Sequence, residues 1–529
     1  MDHRQNGFGK RRHGVATHRQ PRTLLPLFSA LSAVAAVILV VTLAGSDWVQ
    51  SPARAQHPRP GVTGAASTPV PVPAPVPVPA FHTSGYRPQA VDAQHLPYNS
   101  GSQVTLPDAA PHDATGVRMY RIGERLYDHP VAQAQYGLAL LSSYGHNHDA
   151  VLLDLALQQA RRILTHRTVS EGAWFYPYPF GFALHNNPRE TEPAPWYSGM
   201  AQGLALSLFV HLAAATGDAR WMQAAHATVD SFSAPASDGA PWVSHVDDEG
   251  YLWIDEYPER PAPRSDLTFN GQVFGVVGLF DYVHYLSAQS MGTAPAGRLA
   301  AALQMLDGAE TTAMHYASAV RNPGFVSRYC LQDGTLNANY HAIHVTQLSQ
   351  LYTLTHDAGF ATAADDFRRD YPAPEVSGTI HLIAGSYQLA RFNASTGRQV
   401  ASRRMAVGPG STLPTRQRQR ILGHGIWLKI ASGRYRDWWV REVPAQIWLG
   451  GVSAAVAYYP ARPVPVDGAI TSYVLAPNGA DATTIRESFT RSTVLVDQTA
   501  DVNGRESWHI AAGLLAGSWL AASASATRD

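Results

Sequence analysis

The sequence predicts a multidomain, mainly α protein: an α/α toroid of helical hairpins followed by an all-β C-terminal region. Three observations carry this. The 529 residues exceed the length at which a single hydrophobic core usually stops growing. Between Val117 and Tyr371 apolar residues recur at steps of three and four, the spacing of one helix face. After Pro372 that period is replaced by short β-type runs.

In chain order, residues 1–23 are basic (Arg4, Lys10, Arg11, Arg12, Arg19, Arg22) and precede an uncharged run over residues 24–45. A helix of ~20 apolar residues crosses a bilayer, and positive charge before it holds the N-terminus in the cytoplasm. The expectation is a signal anchor, with Ala53-Arg54-Ala55 as the small-x-small triplet at which it would be cut if it is not retained. The protein is thus expected to be membrane-anchored or secreted, its catalytic part extracytoplasmic. Residues 46–116 read as a Pro-rich linker, in which the alternating tract from Pro69 to Pro79 can build neither helix nor central strand and forms a polyproline II spacer.

Forty basic and 40 acidic side chains cancel, so global charge gives no signature of nucleic acid, and an acidic substrate must be held by local groups. Cys330 is the single cysteine, which excludes an internal disulfide.

Residues 117–371 form the expected helical domain. Leu138, Leu141 and Tyr144, then Leu152, Leu155, Ala156, Ala160 and Ile163, then Leu204, Leu208 and Leu212 mark helix faces. Helical pairs are predicted over 131–164, 199–233, 269–306 and 341–369, joined by loops rich in Pro, Gly and aromatics; loops at one rim of a toroid would carry the site.

The β region divides into two modules, 372–462 and 463–529, with strands at Thr379–Ile383, Tyr387–Ala390 and Trp438–Val440. Residues 427–440 align without gaps on residues 507–520, sharing Ile430/Ile510, Ala431/Ala511, Gly433/Gly513 and Trp439/Trp519. Two copies of one unit are implied. The pattern resembles the strand-turn-strand ending of bacterial SH3-like modules, which implies either a polysaccharide- or wall-binding role or a purely structural one.

Three loop segments concentrate polar and aromatic residues beyond what folding needs. They are Pro195-Trp196-Tyr197-Ser198-Gly199-Met200-Ala201-Gln202-Gly203; Trp253-Ile254-Asp255-Glu256-Tyr257-Pro258 with Phe269-Asn270-Gly271; and Arg328-Tyr329-Cys330 with Asn339-Tyr340-His341-Ala342-Ile343-His344. Taken alone, Glu256 reads as the end of a strand with a satisfied carboxylate, and Asn270 as a helix cap. His341 and His344, at helical spacing, lack a third ligand for a metal, and no metal or cofactor is expected.

In order and spacing these motifs, with Gly278-Leu279-Phe280-Asp281-Tyr282, resemble the catalytic C-terminal domain of D-glucuronyl C5-epimerases over about residues 170–370. The resemblance implies C5-epimerisation of D-glucuronate to L-iduronate residues within an extracytoplasmic polysaccharide. It makes Glu256 and Tyr257 the active-site Glu-Tyr pair, Tyr340 a second essential Tyr, Tyr329 a third, and Asn270 a substrate contact. Trp196 and Tyr197 would stack on sugar, and His341 and His344 would hydrogen-bond at the helix start or touch sugar. The animal enzymes carry Tyr-Asp-Leu-Arg where this chain has Tyr329-Cys330-Leu331-Gln332, so Arg328 or Arg260 is the candidate to replace the missing charge. Expected partners are a glucuronate-containing polysaccharide, the membrane through the N-terminal helix and a second copy in a homodimer, but no nucleic acid.

Inverting C5 requires removal of a weakly acidic proton α to a carboxylate and return of one on the other face. Glu256 and Tyr340 are the predicted pair, with burial raising the Glu pKa and neighbouring donors lowering that of the Tyr. Tyr257, Tyr329 and Asn270 would hydrogen-bond the carboxylate and enediolate. Other readings of the same residues are a uronate lyase, a hydrolase using Asp255 or Asp247 as second carboxylate, and a non-catalytic glycan-binding protein.

Overall fold

A computed structural model describes residues 81–99, 103–289, 296–393 and 397–522. The basic N-terminus, the 24–45 anchor and the Pro tract lie outside the described residues.

Among the described residues eight α-helices pair into four hairpins: α1 (Pro130–Asn147) with α2 (Ala150–Thr165), α3 (Gly199–Thr216) with α4 (Ala219–Asp230), α5 (Phe269–Gln289) with α6 (Ala296–Val320), and α7 (Ala338–Thr355) with α8 (Ala358–Asp370). Three hairpins close with one device. The first helix ends on a left-handed residue, His148, Gly217 or His356. The next residue, Asp149, Asp218 or Asp357, caps the returning helix by accepting a backbone N–H bond. Two adjacent residues thus satisfy both helix ends and reverse the chain.

The first helices pack in succession, α1 on α3, α3 on α5 and α5 on α7, and form an inner layer. Buried residues surround α3, whereas α2, α4 and α8 bury one face and are the outer, amphipathic partners. Among the described residues α3 is long and apolar enough to cross a membrane, but 78% of it is buried in this core, which accounts for its composition. The expected hairpins followed by an all-β region are observed as this two-layered α/α array and the sheets after it.

The inner helices α3 and α5 cross on glycine. A Cβ added to Gly278 would lie 2.4 Å from the Gly203 carbonyl oxygen, and one added to Gly203 would lie 2.6 Å from that of Phe274. Backbone cannot yield as a flexible side chain does, so Gly278→Ala is expected to destabilise the protein by roughly 1–3 kcal/mol or more. Gly145 of α1, which has nothing within 4 Å of an added Cβ, is the control: its Ala variant should hold or raise the urea midpoint.

The linker expected as far as residue 116 ends sooner. From Phe81 the chain lies on the helical domain: the Asp307 carboxylate accepts the backbone N–H groups of Ser84, Gly85 and Tyr86, each at 3.0 Å, and the Tyr86 hydroxyl donates to Asp357 at 2.7 Å. Val91 joins the main core. Composition marks this stretch as polar and irregular; tertiary hydrogen bonds order it.

The first β unit is a seven-stranded sheet in the order Gln399–Val407, Gly385–Phe392, Trp439–Arg441, Gly425–Ile430, Ser411–Ile421, Glu375–Leu382, Ile447–Leu449. The second is a closed barrel of Val452–Leu475, Asp481–Val502, Arg505–Ile510 and Trp519–Ala521. It starts at Val452 rather than at 463, because one 24-residue strand runs across the expected boundary. The internal repeat has one register in both copies: Leu428 pairs with Val440 and Lys429 with Trp439, as Trp508 pairs with Leu520 and His509 with Trp519. In each, a turn with a positive-φ glycine, Gly433 or Gly513, joins the strands. The barrel is tied to α8: Arg368, 3% exposed, reaches Asp501 at 3.3 Å and Glu506 at 2.9 Å, and the Tyr458 hydroxyl donates to Asp365 at 2.6 Å.

Candidate active site

The N-terminal ends of the inner helices meet at one rim. His129 and Ser198, the N-caps of α1 and α3, line a cavity there with Tyr178, Trp196, Glu256, Tyr257, Tyr329 and Tyr340. Tyr340 sits in the first turn of α7 and Asn270 in that of α5. The free volume is about 50 Å³, well below the ~300 Å³ at which ligand pockets begin.

Glu256 follows the short strand Leu252–Ile254 and is held by a clamp from α5. The Gln272 side chain accepts the Ile254 N–H at 2.6 Å and donates to the carbonyls of Leu252 at 3.2 Å and Ala309 at 3.0 Å. Asp255 turns away to His245 Nδ1 at 2.7 Å, so Glu256 faces the cavity. Asn270 Nδ2 donates to Glu256 Oε2 at 3.0 Å. The next residue must be glycine, since a Cβ on Gly271 would lie 2.5 Å from Glu256 Cβ and 2.7 Å from Oε2.

The tyrosines close the other side. The Tyr329 hydroxyl lies 3.4 Å from Glu256 Oε1 and 3.3 Å from the Tyr257 hydroxyl. The Tyr340 ring packs on that of Tyr329 with centroids 4.3 Å apart. Burial pushes the Glu256 carboxyl up to about 7, against the pull of hydrogen bonds from Tyr257, Tyr329 and Asn270. Burial first, then the nearby Glu256 charge, raises all three tyrosines. The Glu shift is in the expected direction; the lowering expected for Tyr340 is reversed, because burial dominates and the charge beside it is an acid rather than a cation.

Several predicted residues lie elsewhere. Trp196 does wall the cavity, stacked 3.7 Å from Tyr178 with its indole N–H on the Phe180 carbonyl at 2.9 Å. Tyr197 points out of it: its hydroxyl donates to Thr168 at 3.0 Å and its ring meets Phe175. His341 and His344 are buried under α8, not against the cavity. Both ring Nδ1 atoms meet the Ser327 hydroxyl at 2.9 Å, and His341 Nε2 meets the Phe367 carbonyl at 3.0 Å. Burial drives them down to about 4 and about 3, so they are neutral packing groups rather than sugar contacts. Arg328 donates to the carbonyls of Ala319 and Arg321 at the end of α6, and Arg260 is exposed; neither lines the cavity. Among the lining residues no arginine replaces the missing one; the helix N-termini at this rim are a source of positive potential.

Asp255 and Asp247 are also spoken for, the latter by Trp253 at 3.0 Å and Tyr316 at 2.6 Å. Glu256 is the carboxyl among the lining residues. Sequence reasoning passed over Tyr178, Phe182 and His129, and named Gly271 within a motif without a reason for the glycine. The aromatic density from Trp174 to Phe182 and the His129-Pro130 helix start were the available signals; for the glycine the physical reason is tertiary, because only Glu256 forbids a side chain there.

Residues 167–369 match the family described as D-glucuronyl C5-epimerase C-terminus. A D-glucuronyl C5-epimerase of Caenorhabditis elegans is 26% identical over 110 residues, 21% of this chain and 16% of that protein, so the chain spans about a sixth of the length of the curated relative it matches. Among solved structures, cellobiose 2-epimerase from Spirochaeta thermophila aligns with a TM-score of 0.33 at 13% identity, covering 46% of this chain and 58% of that one. A family 76 glycoside hydrolase (mannosidase) from Bacteroides thetaiotaomicron aligns with a TM-score of 0.29 at 11% identity over 47% of this chain and 58% of that one. The segment that matches the D-glucuronyl C5-epimerase C-terminus, residues 167–369, is the one that carries Glu256, Asn270, Tyr329 and Tyr340.

Proposed function

We propose that this chain is a carbohydrate epimerase that inverts C5 of D-glucuronate residues to L-iduronate within an extracytoplasmic polysaccharide. The observation that carries the reading is Glu256: a buried carboxyl raised to about 7 and surrounded by three neutral phenols at the positive ends of the inner helices. The helix ends would receive the uronate carboxylate and the negative charge that spreads onto it.

In this mechanism the Glu256 carboxylate takes the C5 proton and the electron pair of the C–H bond delocalises into the substrate carboxylate as an enediolate. Tyr340 returns a proton to the opposite face. That leaves Glu256 protonated and Tyr340 as a tyrosinate, and Tyr329, adjacent to both, relays the proton back. A tyrosinate in so buried a site is short-lived, so the reset follows promptly. The cavity, at about 50 Å³, must widen before a sugar ring enters.

The Tyr340→Phe variant should lose at least tenfold in kcat with KM little changed, because the transferred proton is lost while the ring contacts stay. Full turnover in Tyr340→Phe would remove it from the mechanism. The overall reaction is tested with glucuronate-containing polysaccharides in heavy water, followed by NMR: deuterium at C5 in an intact chain with a new iduronate signal supports an epimerase, whereas an unsaturated sugar end would identify a lyase. Hydrolysis is the weaker reading, since no second carboxyl faces Glu256 among the lining residues. The anchor before the Pro tract supports an extracytoplasmic, membrane-attached or secreted enzyme, its polymer drawn from outside the cell. The paired β units, SH3-like in pattern, would hold that polymer, and a homodimer is part of the proposal.

A further inference from the structure

Beside the cavity, and outside the mechanism above, four potential ligands converge from three loops. His185 follows Phe182–Ala183, Asp266 follows Arg264–Ser265, and Cys330 and Asp333 lie between α6 and α7. His185 Nε2 is 3.2 Å from Asp266 Oδ2, 3.5 Å from Asp333 Oδ2 and 3.6 Å from Cys330 Sγ. The four donor atoms all lie within 4.8 Å of one another. Tetrahedral zinc, with bonds of about 2.0–2.3 Å, sets its ligands roughly 3.3–3.6 Å apart. The spacings around the imidazole are already of that size.

We propose that His185, Asp266, Cys330 and Asp333 bind a zinc ion. A set of one thiolate, one imidazole and two carboxylates selects a borderline-soft divalent metal over magnesium or calcium, which take oxygen alone. Binding requires the Cys330 thiol and His185 Nε2, which faces the Asp266 and Asp333 carboxylates, each to give a proton to solvent, so that the thiolate and the Nε2 lone pair are both free for the metal. Two carboxylates and a sulfur around a single imidazole are an overload of acceptors that a divalent cation satisfies. Three of the side chains are sequestered, with side-chain exposures of 9% for His185 and 0% for Asp266, and Cys330 fully buried; Asp333, at 39%, completes the set from the open side.

The ion would act as a clip. Backbone bonds already run from Leu331 N to the Leu267 carbonyl at 3.2 Å and from Gln332 N to the Asp266 carbonyl at 3.3 Å. A metal joins these two loops to the His185 loop at a point next to Tyr329 and four residues before Asn270, so its ligands are positioning residues for the Glu256 cluster. Chain distance hid the set: His185 and Asp266 are remote in sequence from Cys330.

The test uses the purified full chain stripped with a chelator and titrated with zinc chloride, with metal content measured after gel filtration, and then loaded with cobalt(II). Expected are stoichiometric zinc, a raised Tm on adding zinc, and a thiolate-to-cobalt charge-transfer band that Cys330→Ser abolishes. Asp333→Asn, at the exposed position, should weaken zinc by more than the roughly 10- to 100-fold that even an outer-shell partner commands, and it decides the matter if Cys330→Ser does not fold. No retained zinc in the wild type, a cobalt spectrum without the thiolate band, or affinity unchanged in Asp333→Asn would each overturn the site. None of these readouts involves substrate, so they stand apart from the epimerase reading.

Discussion

Replacing Glu256 with Gln is expected to lower C5 exchange on the order of 10³-fold, the range of a lost general base, while stabilising the protein in alkali. Gln keeps the shape and the bond from Asn270 Nδ2 to the side-chain oxygen, so the fold should be intact. The stability sign follows from the pKa: burial raises the carboxyl from 4.5 to about 7. Its contribution to stability is therefore full below the unfolded-state value and is lost as pH rises through about 7. The variant lacks this loss, so the difference in unfolding free energy between variant and wild type should open between pH 5 and 8 and reach on the order of 3 kcal/mol. In the same window wild-type kcat/KM should rise as the carboxyl ionises. Paired urea titrations and exchange rates across that range would check both; a variant less stable than wild type at pH 8 would mean that Glu256 is a structural acid.

The second large effect is expected from a single methyl group. Gly271→Ala improves intrinsic helix propensity by about 1 kcal/mol, yet it should cut kcat about 100-fold, the consequence of moving a catalytic group by about 1 Å. The added Cβ would fall 2.5 Å from Glu256 Cβ, 2.7 Å from Oε2 and 3.2 Å from Cγ. The carboxylate must swing off, breaking its bond to Asn270 and its approach to Tyr329. Overpacking should also take roughly 1–3 kcal/mol from stability. Far-UV circular dichroism unchanged, with turnover lost, is the expected pair of results; turnover near wild type would show that Glu256 has room to move without consequence.

The helices, their hairpin pairing and the start of the β region were determined by the sequence itself, because a 3.6-residue apolar period and its abrupt end are local properties. The strand-turn-strand repeat was legible for the same reason: Ile430/Ile510 and Trp439/Trp519 repeat along the chain before they repeat in space. Glu256, Asn270 and Tyr340 stood out as polar residues in loops that had no folding reason to hold them. The tertiary structure alone decided which of their neighbours join them. His341 and His344 lie one helical turn apart, a spacing shared by ligands and packing groups, and only the cover of α8 makes them packing groups. Arg328 is taken up by carbonyls at the end of α6. The direction of the Tyr340 shift depends on its burial and on the acid beside it, and the convergence of His185, Asp266, Cys330 and Asp333 on how the loops pack, both of which are tertiary. Gly271 and Gly278 stand in the motifs of the chain, but the reason they must be glycine does not, because the atoms that exclude a side chain there belong to other segments.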